Sequence, residues 1–140
     1  MITLKKADYE KMLAHARASL PEEACGLIAG TENSNGSEKH IEAVYLIENT
    51  DHSKEHFTIS PQEQLAAIKD MRAKGLKPLG NWHSHPESPS RPSEEDKRLF
   101  FDSKARYLIL SLMDAESPVL NAFIVQNHTD VSRDELTIIN

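Results

Sequence analysis

The sequence is poor in cysteine, which restricts both its crosslinks and its metal chemistry. Cys25 is the only cysteine among the 140 residues, so no disulfide can form within the chain. A zinc cluster built from several cysteines is excluded for the same reason. Any metal must therefore be held by histidine, aspartate or glutamate. Cys25 itself, inside "EACGL", is interpreted as a small buried side chain rather than a reactive thiol.

Long apolar segments are missing too. No stretch approaches the roughly 18 consecutive apolar residues of a membrane-spanning helix. The first residues, "MITLKKADYEKML", have neither the apolar block nor the cleavage site of a signal peptide. We therefore expect a cytoplasmic protein without a membrane partner.

An excess of positive charge is also absent. The chain has 16 lysines and arginines against 22 aspartates and glutamates, which gives a formal net charge of -6. Proteins bind nucleic acids largely through clustered lysine and arginine side chains. The composition therefore argues against a nucleic-acid partner and remains compatible with a small protein partner.

The sequence does contain alternating strand and helix patterns, in a length typical of one domain, so we expect a single domain over residues 1–140. Apolar runs bounded by turn residues predict seven strands: Ile2–Lys5, Cys25–Thr31, Ile41–Asn49, Leu76–His85, Ala105–Met113, Val119–Asn127 and Val131–Ile139. Helical spacing predicts three helices: Asp8–Leu20 with Asp8 as N-cap, Ser60–Gly75 and Ser93–Ser103. Helices between the early strands and a closing three-stranded meander indicate an α/β fold, with a curved mixed β-sheet flanked by helices.

The helix that begins at Ser60 has the clearest boundary signals. Ser60 is a suitable N-cap, Pro61 occupies the first helical position, and Glu63 is placed to complete a capping box. Gly75 marks the far end of the helix.

A candidate metal site lies in the segment "NWHSHPESPSRPSEEDKRLFF", which spans Asn81–Phe101. Residues two apart on a strand point to the same face, so His83 and His85 project side by side. A catalytic zinc ion usually takes three ligands from His, Asp or Glu and leaves a fourth position to water. Asp96, eleven positions after His85 and in the first turn of the next predicted helix, is the candidate third ligand.

The connector between His85 and Asp96 contains three prolines, which lie at positions 86, 89 and 92. Each proline fixes its own φ angle and biases the preceding residue towards extended conformations. The loop is therefore expected to be stiffer than its length suggests, and a stiff loop can return a carboxylate to a fixed point.

Two simpler interpretations compete with the metal site. With seven histidines in the chain, about 0.35 His-x-His pairs are expected by chance, but requiring Asp96 and Ser93 as well lowers that expectation to about 0.002. Ser93 and Asp96 also match a helix capping box. A serine at a helix N-terminus can cap the helix while its hydroxyl faces a ligand, so the spacing does not decide between these roles.

A metal-assisted hydrolysis also needs a base. Glu22 and Glu23, in "LPEEACGLIAG", stand out because they directly precede a predicted buried strand. The alternative is a solvated pair at a helix-strand junction, which is the ordinary position of such residues.

These residues together resemble the signature of the JAMM (MPN-plus, or Mov34/PAD-1) metallopeptidases. In that signature a glutamate precedes x-x-Gly, His-x-His-Pro follows, seven residues separate the second histidine from a serine, and x-x-Asp completes the set. Here the matching segments are "EACG", "HSHP" and "PSEED", with every position filled. The resemblance covers most of the chain and is strongest to the small prokaryotic branch. It implies a mixed sheet flanked by helices, of the type also seen in cytidine deaminases.

The resemblance also implies a role for each matching residue. His83, His85 and Asp96 are implied as ligands of one zinc ion per chain, Glu23 as the general base and Ser93 as the residue that stabilises the oxyanion. Glu22 falls one position outside the motif. A deaminase activity is not expected, because the Pro-Cys-x-x-Cys pair of those enzymes is absent from this sequence.

The implied activity is zinc-dependent hydrolysis of a peptide or isopeptide bond. The implied substrate is a ubiquitin-like or sulfur carrier protein, cut behind its C-terminal Gly-Gly with release of cysteine or a short tail. A catalytically silent MPN-type scaffold is one alternative, and a nuclease-associated domain of the RadC kind is another. Which carrier is cut, and whether the protein is a monomer or a homodimer, are left open by the sequence.

Overall fold

Strands and helices alternate along the chain, and the computed structural model describes all of residues 1–140. The strands are β1 (Ile2–Lys5), β2 (Cys25–Glu32), β3 (Lys39–Ile47), β4 (Lys77–His85), β5 (Arg106–Ser111), β6 (Val119–Gln126), β7 (Asp130–Asp134) and β8 (Leu136–Ile139). The helices are α1 (Lys6–Ser19), α2 (Pro61–Ala73) and α3 (Glu94–Leu99). All eight strands form one sheet in the order β7-β6-β5-β4-β2-β3-β1-β8. Parallel pairing of β4 with β5, and of β1 with both β3 and β8, confirms the predicted mixed α/β sheet.

Helices cover both faces of this sheet. On one face, Met12 and Ala16 of α1 pack in the same buried cluster as Trp82 of β4. On the other face, Ala67 and Met71 of α2 pack against β2 and β3. Since neighbours along β4 alternate between faces, the histidines at positions 83 and 85 point away from the α1 side.

The prediction of one closing strand over Val131–Ile139 is wrong. The segment divides into β7, which pairs with β6 at one edge of the sheet, and β8, which pairs with β1 at the other edge. Glu135 alone separates the two strands. The two edges therefore lie close together, so the sheet curves strongly. By crossing to the other edge, the chain provides β8 as a hydrogen-bonding partner for the otherwise unpaired edge of β1. The local hydrophobic pattern of residues 131–139 does not reveal this long-range pairing.

Two helix boundaries differ from the predictions. The helix α1 begins at Lys6, directly after β1, so Asp8 lies in the first turn and is not the N-cap. The helix α3 ends at Leu99, short of Ser103, because the next residue, Phe100, takes an extended conformation and stacks on Tyr107 at 3.9 Å.

The start and end signals of α2 are confirmed, with one exception. The Ser60 hydroxyl accepts a hydrogen bond from the Glu63 backbone, Pro61 begins the helix, and Gly75 has a positive φ of 68° after its end. The Glu63 carboxylate does not complete a capping box, because it accepts from the Glu48 backbone N–H at 3.3 and 3.4 Å. None of the three helices has the length and apolar character that a membrane crossing needs.

Asp134 lies where the two edges of the sheet meet. Its carboxylate accepts hydrogen bonds from the Met1 ammonium at 2.6 Å and from Arg106 Nε at 2.7 Å. Burial works to raise the pKa of Asp134, but these two cationic donors outweigh it and lower the pKa. The ionised carboxylate therefore stabilises the folded state.

We expect Asp134→Asn to lower the free energy of unfolding by about 2 kcal/mol at pH 7, because it weakens charge-assisted hydrogen bonds. The folded-state pKa is the lower one, so the wild-type advantage is present above the unfolded pKa of about 3.9 and disappears as the pH falls through the folded pKa. Urea unfolding at a series of pH values tests both statements. Asp130→Asn, an exposed position on the same strand, is the matched control and should change little. Equal stability of wild type and Asp134→Asn at pH 7 would contradict the assignment.

Candidate metal centre

Three side chains converge at the carboxyl end of β4. His83 Nε2 and His85 Nε2 lie 3.0 Å apart, and each lies 3.1 Å from Asp96 Oδ2 in the first turn of α3. All three residues are buried, with at most 4% of their surface exposed. The structure therefore brings together the three candidate ligands that the sequence suggests.

This arrangement fits a zinc ion. A tetrahedral zinc lies about 2.0–2.1 Å from nitrogen and oxygen ligands, which places the ligand atoms about 3.3 Å from one another. The three atoms here are within a few tenths of an ångström of that spacing. Two imidazole nitrogens and one carboxylate oxygen also form a common ligand set of catalytic zinc, with a fourth position left open.

The electrostatics of the cluster favour forms that can bind a metal. Burial lowers the pKa of His83, although the hydrogen bond to Asp96 opposes this, and the lowered pKa favours the neutral ring. Burial works to raise the pKa of Asp96, but its contacts with the two histidines and the hydrogen bond from the Ser93 backbone N–H hold the pKa well below its ordinary range. A neutral imidazole and an ionised carboxylate are the forms that coordinate metals.

The second nitrogen of His85 fixes the orientation of its ring. His85 Nδ1 lies 2.8 Å from the carbonyl oxygen of Pro89, and an N–H donated there leaves Nε2 as a free acceptor for a metal. The His83 ring instead stacks on Phe57, with centroids 4.6 Å apart, and its buried Nδ1 has no hydrogen-bond partner.

The connector between β4 and α3 is fastened by side-chain hydrogen bonds as well as by its prolines. Ser90 Oγ donates to the Ile109 carbonyl at 2.6 Å, and Ser111 Oγ donates to the Ser88 carbonyl at 2.6 Å. Asn121 Nδ2 donates to the Ser90 carbonyl at 3.2 Å. The prolines alone predicted a stiff connector, and no local sequence signal marks these contacts with β5 and β6.

Ser93 forms the capping box that the sequence allowed as an alternative. Its hydroxyl accepts from the Asp96 backbone at 3.0 Å, and its own N–H donates to Asp96 Oδ2 at 3.0 Å. That oxygen is the one that faces both histidines, so the cap orients the carboxylate. The Ser93 hydroxyl uses only its acceptor capacity in this contact, and its hydrogen remains available to another group.

Of the two candidate bases, the structure brings Glu23 to the site and leaves Glu22 at the surface. Cys25 pairs with His83 across the β2–β4 ladder, and Ala24 N–H donates to Ser84 Oγ at 2.8 Å, so Glu23 lies at the end of β4. Glu23 is 3% exposed and its Oε1 has no partner. Glu22 contacts His52 instead, at 3.3 Å.

Burial raises the pKa of Glu23 to about 9, and the negative charge of Asp96 contributes. A cation between the histidines would act in the opposite direction, because a nearby positive charge favours the carboxylate. An unpaired buried carboxyl beside a ligand cluster is a typical arrangement for a group that exchanges protons.

The glycine of "EACG" also has a physical explanation. A Cβ atom at Gly26 would lie 1.8 Å from the Tyr45 carbonyl oxygen and 2.3 Å from Trp82 Nε1. The Trp82 indole N–H donates to that same carbonyl at 3.2 Å. Only glycine leaves room for this contact between β4 and β3, which flank β2.

We expect Gly26→Ala to lower the free energy of unfolding by about 3 kcal/mol, because the methyl group must displace backbone or indole. Gly75→Ala is the comparison, since a Cβ there meets open space and only the positive φ is strained, at a cost of about 1 kcal/mol. Urea unfolding measures both changes. A loss at Gly26 no larger than the loss at Gly75 would show that the close packing is not limiting.

The family described as prokaryotic homologs of the JAB domain matches residues 5–124. The chain belongs to this family. Among curated relatives of this JAB chain, the CysO-cysteine peptidase of Mycobacterium tuberculosis is 32% identical over 80% of the chain and 74% of the relative. The desampylase of Pyrococcus furiosus is 25% identical over 93% of the chain and 86% of the relative.

Solved structures agree with the fold of the JAB chain. The solution structure of protein DSY2949 from Desulfitobacterium hafniense has a TM-score of 0.90 and 48% identity, and covers 100% of this chain and 94% of that one. AF2198, a JAB1/MPN domain protein from Archaeoglobus fulgidus, has a TM-score of 0.61 and 20% identity, and covers 99% of this chain and 95% of that one. The predicted fold class and the predicted family are both confirmed.

The other histidines of the JAB chain lie outside the cluster. His40 contacts Thr3 and His56 contacts Asp51, while His128 reaches the Lys97 carbonyl. His15 packs edge-on against Trp82, and His52 binds acidic side chains at the surface. The one cluster of potential ligands within mutual reach is the set formed by residues 83, 85 and 96.

Cys25 is buried, and its thiol lies 3.5 Å from the Ile47 carbonyl. Burial, with the charge of Glu23, raises the pKa of Cys25 to about 12. The side chain is therefore a neutral thiol, which agrees with its interpretation as a small buried residue.

Proposed function

We propose that this JAB chain is a zinc-dependent peptidase that acts on a ubiquitin-like or sulfur carrier protein. It hydrolyses the peptide or isopeptide bond after the C-terminal Gly-Gly and releases cysteine or a short tail. The observation that carries the proposal is the convergence of His83, His85 and Asp96 beside the buried, unpaired carboxyl of Glu23. The relatives named CysO-cysteine peptidase and desampylase support a hydrolase with this class of substrate. We assign the activity to a single domain over residues 1–140.

In this proposal His83, His85 and Asp96 would hold one zinc ion, and a bound zinc would supply Lewis acidity to the reaction. Glu23 accepts a proton from the attacking water as the new C–O bond forms. It then passes that proton to the departing amine as the C–N bond breaks. The free Oε1 atom of Glu23 suits this role, because no competing hydrogen bond occupies it.

Ser93 provides the remaining polar group. Its hydroxyl hydrogen is available for donation to the oxygen that becomes negative in the tetrahedral intermediate. The capping box holds the hydroxyl at the start of α3, next to Asp96. The burial of the three candidate ligands also favours an extended Gly-Gly tail, whose two residues have no side chains.

A panel of ubiquitin-fold carriers tests this proposal. Each carrier is extended beyond Gly-Gly by a single cysteine, by a short peptide or by an isopeptide-linked lysine, and is incubated with zinc-loaded protein. Mass spectrometry should show at least one carrier shortened to a terminal Gly-Gly. Carriers that already end in Gly-Gly are the control and should keep their mass. If zinc-loaded protein leaves every extended carrier intact, the proposed peptidase activity is contradicted and the scaffold alternative is favoured.

A further inference from the structure

A loop binds the backbone groups of Glu23 itself, whereas the next residue, Ala24, is hydrogen-bonded to Ser84 of β4. Glu23 lies two residues before the start of β2 at Cys25, so its backbone takes no part in a strand ladder. Its N–H donates to the Ser53 carbonyl at 2.7 Å, and its carbonyl accepts from Asn49 Nδ2 at 3.0 Å. Both partners belong to residues 48–60, the loop between β3 and α2, which we call the β3–α2 loop.

Asn49 organises this loop as well as contacting Glu23. Its Oδ1 accepts from the backbone N–H groups of Asp51 at 3.0 Å and Thr58 at 3.1 Å. Its Nδ2 donates to the His56 carbonyl at 3.1 Å in addition to the Glu23 carbonyl. An asparagine amide has two donors and two acceptor positions, and here all are used at a residue only 6% exposed.

The same loop also contacts one of the proposed metal ligands. Phe57 stacks on the His83 ring, and an antiparallel bridge joins Asn49 to Ile59 at the base of the loop. One buried amide thus connects the backbone of Glu23 to the segment that packs on a proposed zinc ligand.

We propose that Asn49 is a positioning residue for Glu23, and this inference rests on the proposed function. The Glu23 carboxyl has an oxygen with no hydrogen bond to fix it, so its location is determined by its backbone and its packing. The backbone is held on the β4 side by the hydrogen bonds of Ala24 to Ser84 and on the other side by the β3–α2 loop, which the Asn49 amide organises. A base displaced by about 1 Å loses about 100-fold in rate, so the contact matters for turnover although Asn49 touches no reacting atom.

Asn49→Ala should lower kcat by about 10- to 100-fold, with KM changed by less than about threefold and zinc retained. The assay uses whichever extended carrier the wild-type protein cleaves. Thr58→Val is the matched control, because it removes the hydrogen bond from Thr58 Oγ1 to Asp51 in the same loop and leaves the Asn49 amide intact. Its kcat should stay within about twofold of wild type.

Asn49→Asp tests the donor role of the Asn49 side chain separately from its acceptor role. The variant has the same shape and keeps the oxygen that faces Asp51 and Thr58, but it replaces the donor to Glu23 with an acceptor. We expect the same loss of kcat as for Asn49→Ala. This variant also tests the proposal if Asn49→Ala does not fold.

Two further readouts distinguish positioning from a general loss of structure. In a Glu23→Gln background, Asn49→Ala should lower the residual rate by less than about twofold, because the group it positions is gone. The Glu23 amide hydrogen, which donates to Ser53, should exchange at least about tenfold faster in Asn49→Ala than in Thr58→Val. The exchange measurement does not depend on activity or on bound metal.

The proposal is overturned if Asn49→Ala and Thr58→Val lower kcat equally, if KM rises while kcat is unchanged, or if the Asn49 effect persists in the Glu23→Gln background. These outcomes differ from a failure of the proposed function. That failure would show as an inactive wild-type protein or as full activity in Glu23→Gln.

Discussion

Glu23→Gln is expected to abolish turnover of an extended carrier, with a fall in kcat of about 1,000-fold or more, while one zinc ion per chain stays bound. Glutamine keeps the size of the side chain but can neither accept a proton from water nor deliver one to the leaving amine. It also removes no ligand, because Glu23 is not part of the three-residue cluster. The checks are kcat on the extended carrier and zinc content of the same preparation.

Glu22→Gln is the matched control for this prediction. It makes the same chemical change one position earlier, at a side chain that contacts His52 at the surface. Its activity should remain near the wild-type value. If Glu22→Gln were inactive and Glu23→Gln active, the assignment of the base would be wrong. Comparable activity in Glu23→Gln and wild type would remove acid–base catalysis by Glu23 from the mechanism.

Asp96→Ala is expected to lose most of its zinc and, with it, all measurable turnover. The substitution removes the carboxylate oxygen that lies 3.1 Å from both histidine nitrogens. It also removes one half of the capping box of α3, which should cost about 1 kcal/mol of stability. Metal analysis after gel filtration measures the zinc, and circular dichroism shows whether the variant remains folded.

Glu94→Ala and His52→Ala are the controls for zinc loss. The first removes an exposed acid from the first turn of the same helix, and the second removes a histidine outside the cluster. Both should keep one zinc per chain. Full zinc occupancy in folded Asp96→Ala would show that this carboxylate is not a ligand. Loss of zinc in His52→Ala would show that the ligands lie elsewhere.

The sequence predicted those parts of the fold that depend on local chemistry. The α2 helix follows from Ser60, Pro61 and Gly75, each of which has the capping or terminating role expected of it. The alternation along β4 places His83 and His85 on one face. The capping box of Ser93 and Asp96, which the sequence allowed as an alternative, is also local, since both residues lie within one helical turn.

The parts that depend on distant contacts were not predicted. The crossing from β7 to β8 depends on an edge strand more than 130 residues earlier in the chain, and the end of α3 depends on stacking between Phe100 and Tyr107. The role of Asn49 was not predicted either, because the hydrogen bonds of its amide to five backbone groups form only when the loop is folded. Asparagine near a turn is ordinary in a sequence.

The candidate site depends on both local sequence features and distant contacts. The motif spacing identified the residues, but spacing alone does not bring Glu23 to the end of β4. That placement depends on the pairing of Cys25 with His83 and on the hydrogen bond from Ala24 to Ser84. The pairing is non-local, so the proximity of Glu23 to the cluster came from the family resemblance rather than from periodicity.

The zinc content of the purified wild-type protein tests the central claim most directly, because it does not depend on knowing the carrier. Metal analysis by inductively coupled plasma mass spectrometry, after exposure to equimolar zinc and removal of unbound ions, should give one zinc per chain. The His83→Ala, His85→Ala and Asp96→Ala variants should each give far less. A folded wild-type protein that retains no stoichiometric zinc under these conditions would contradict the account.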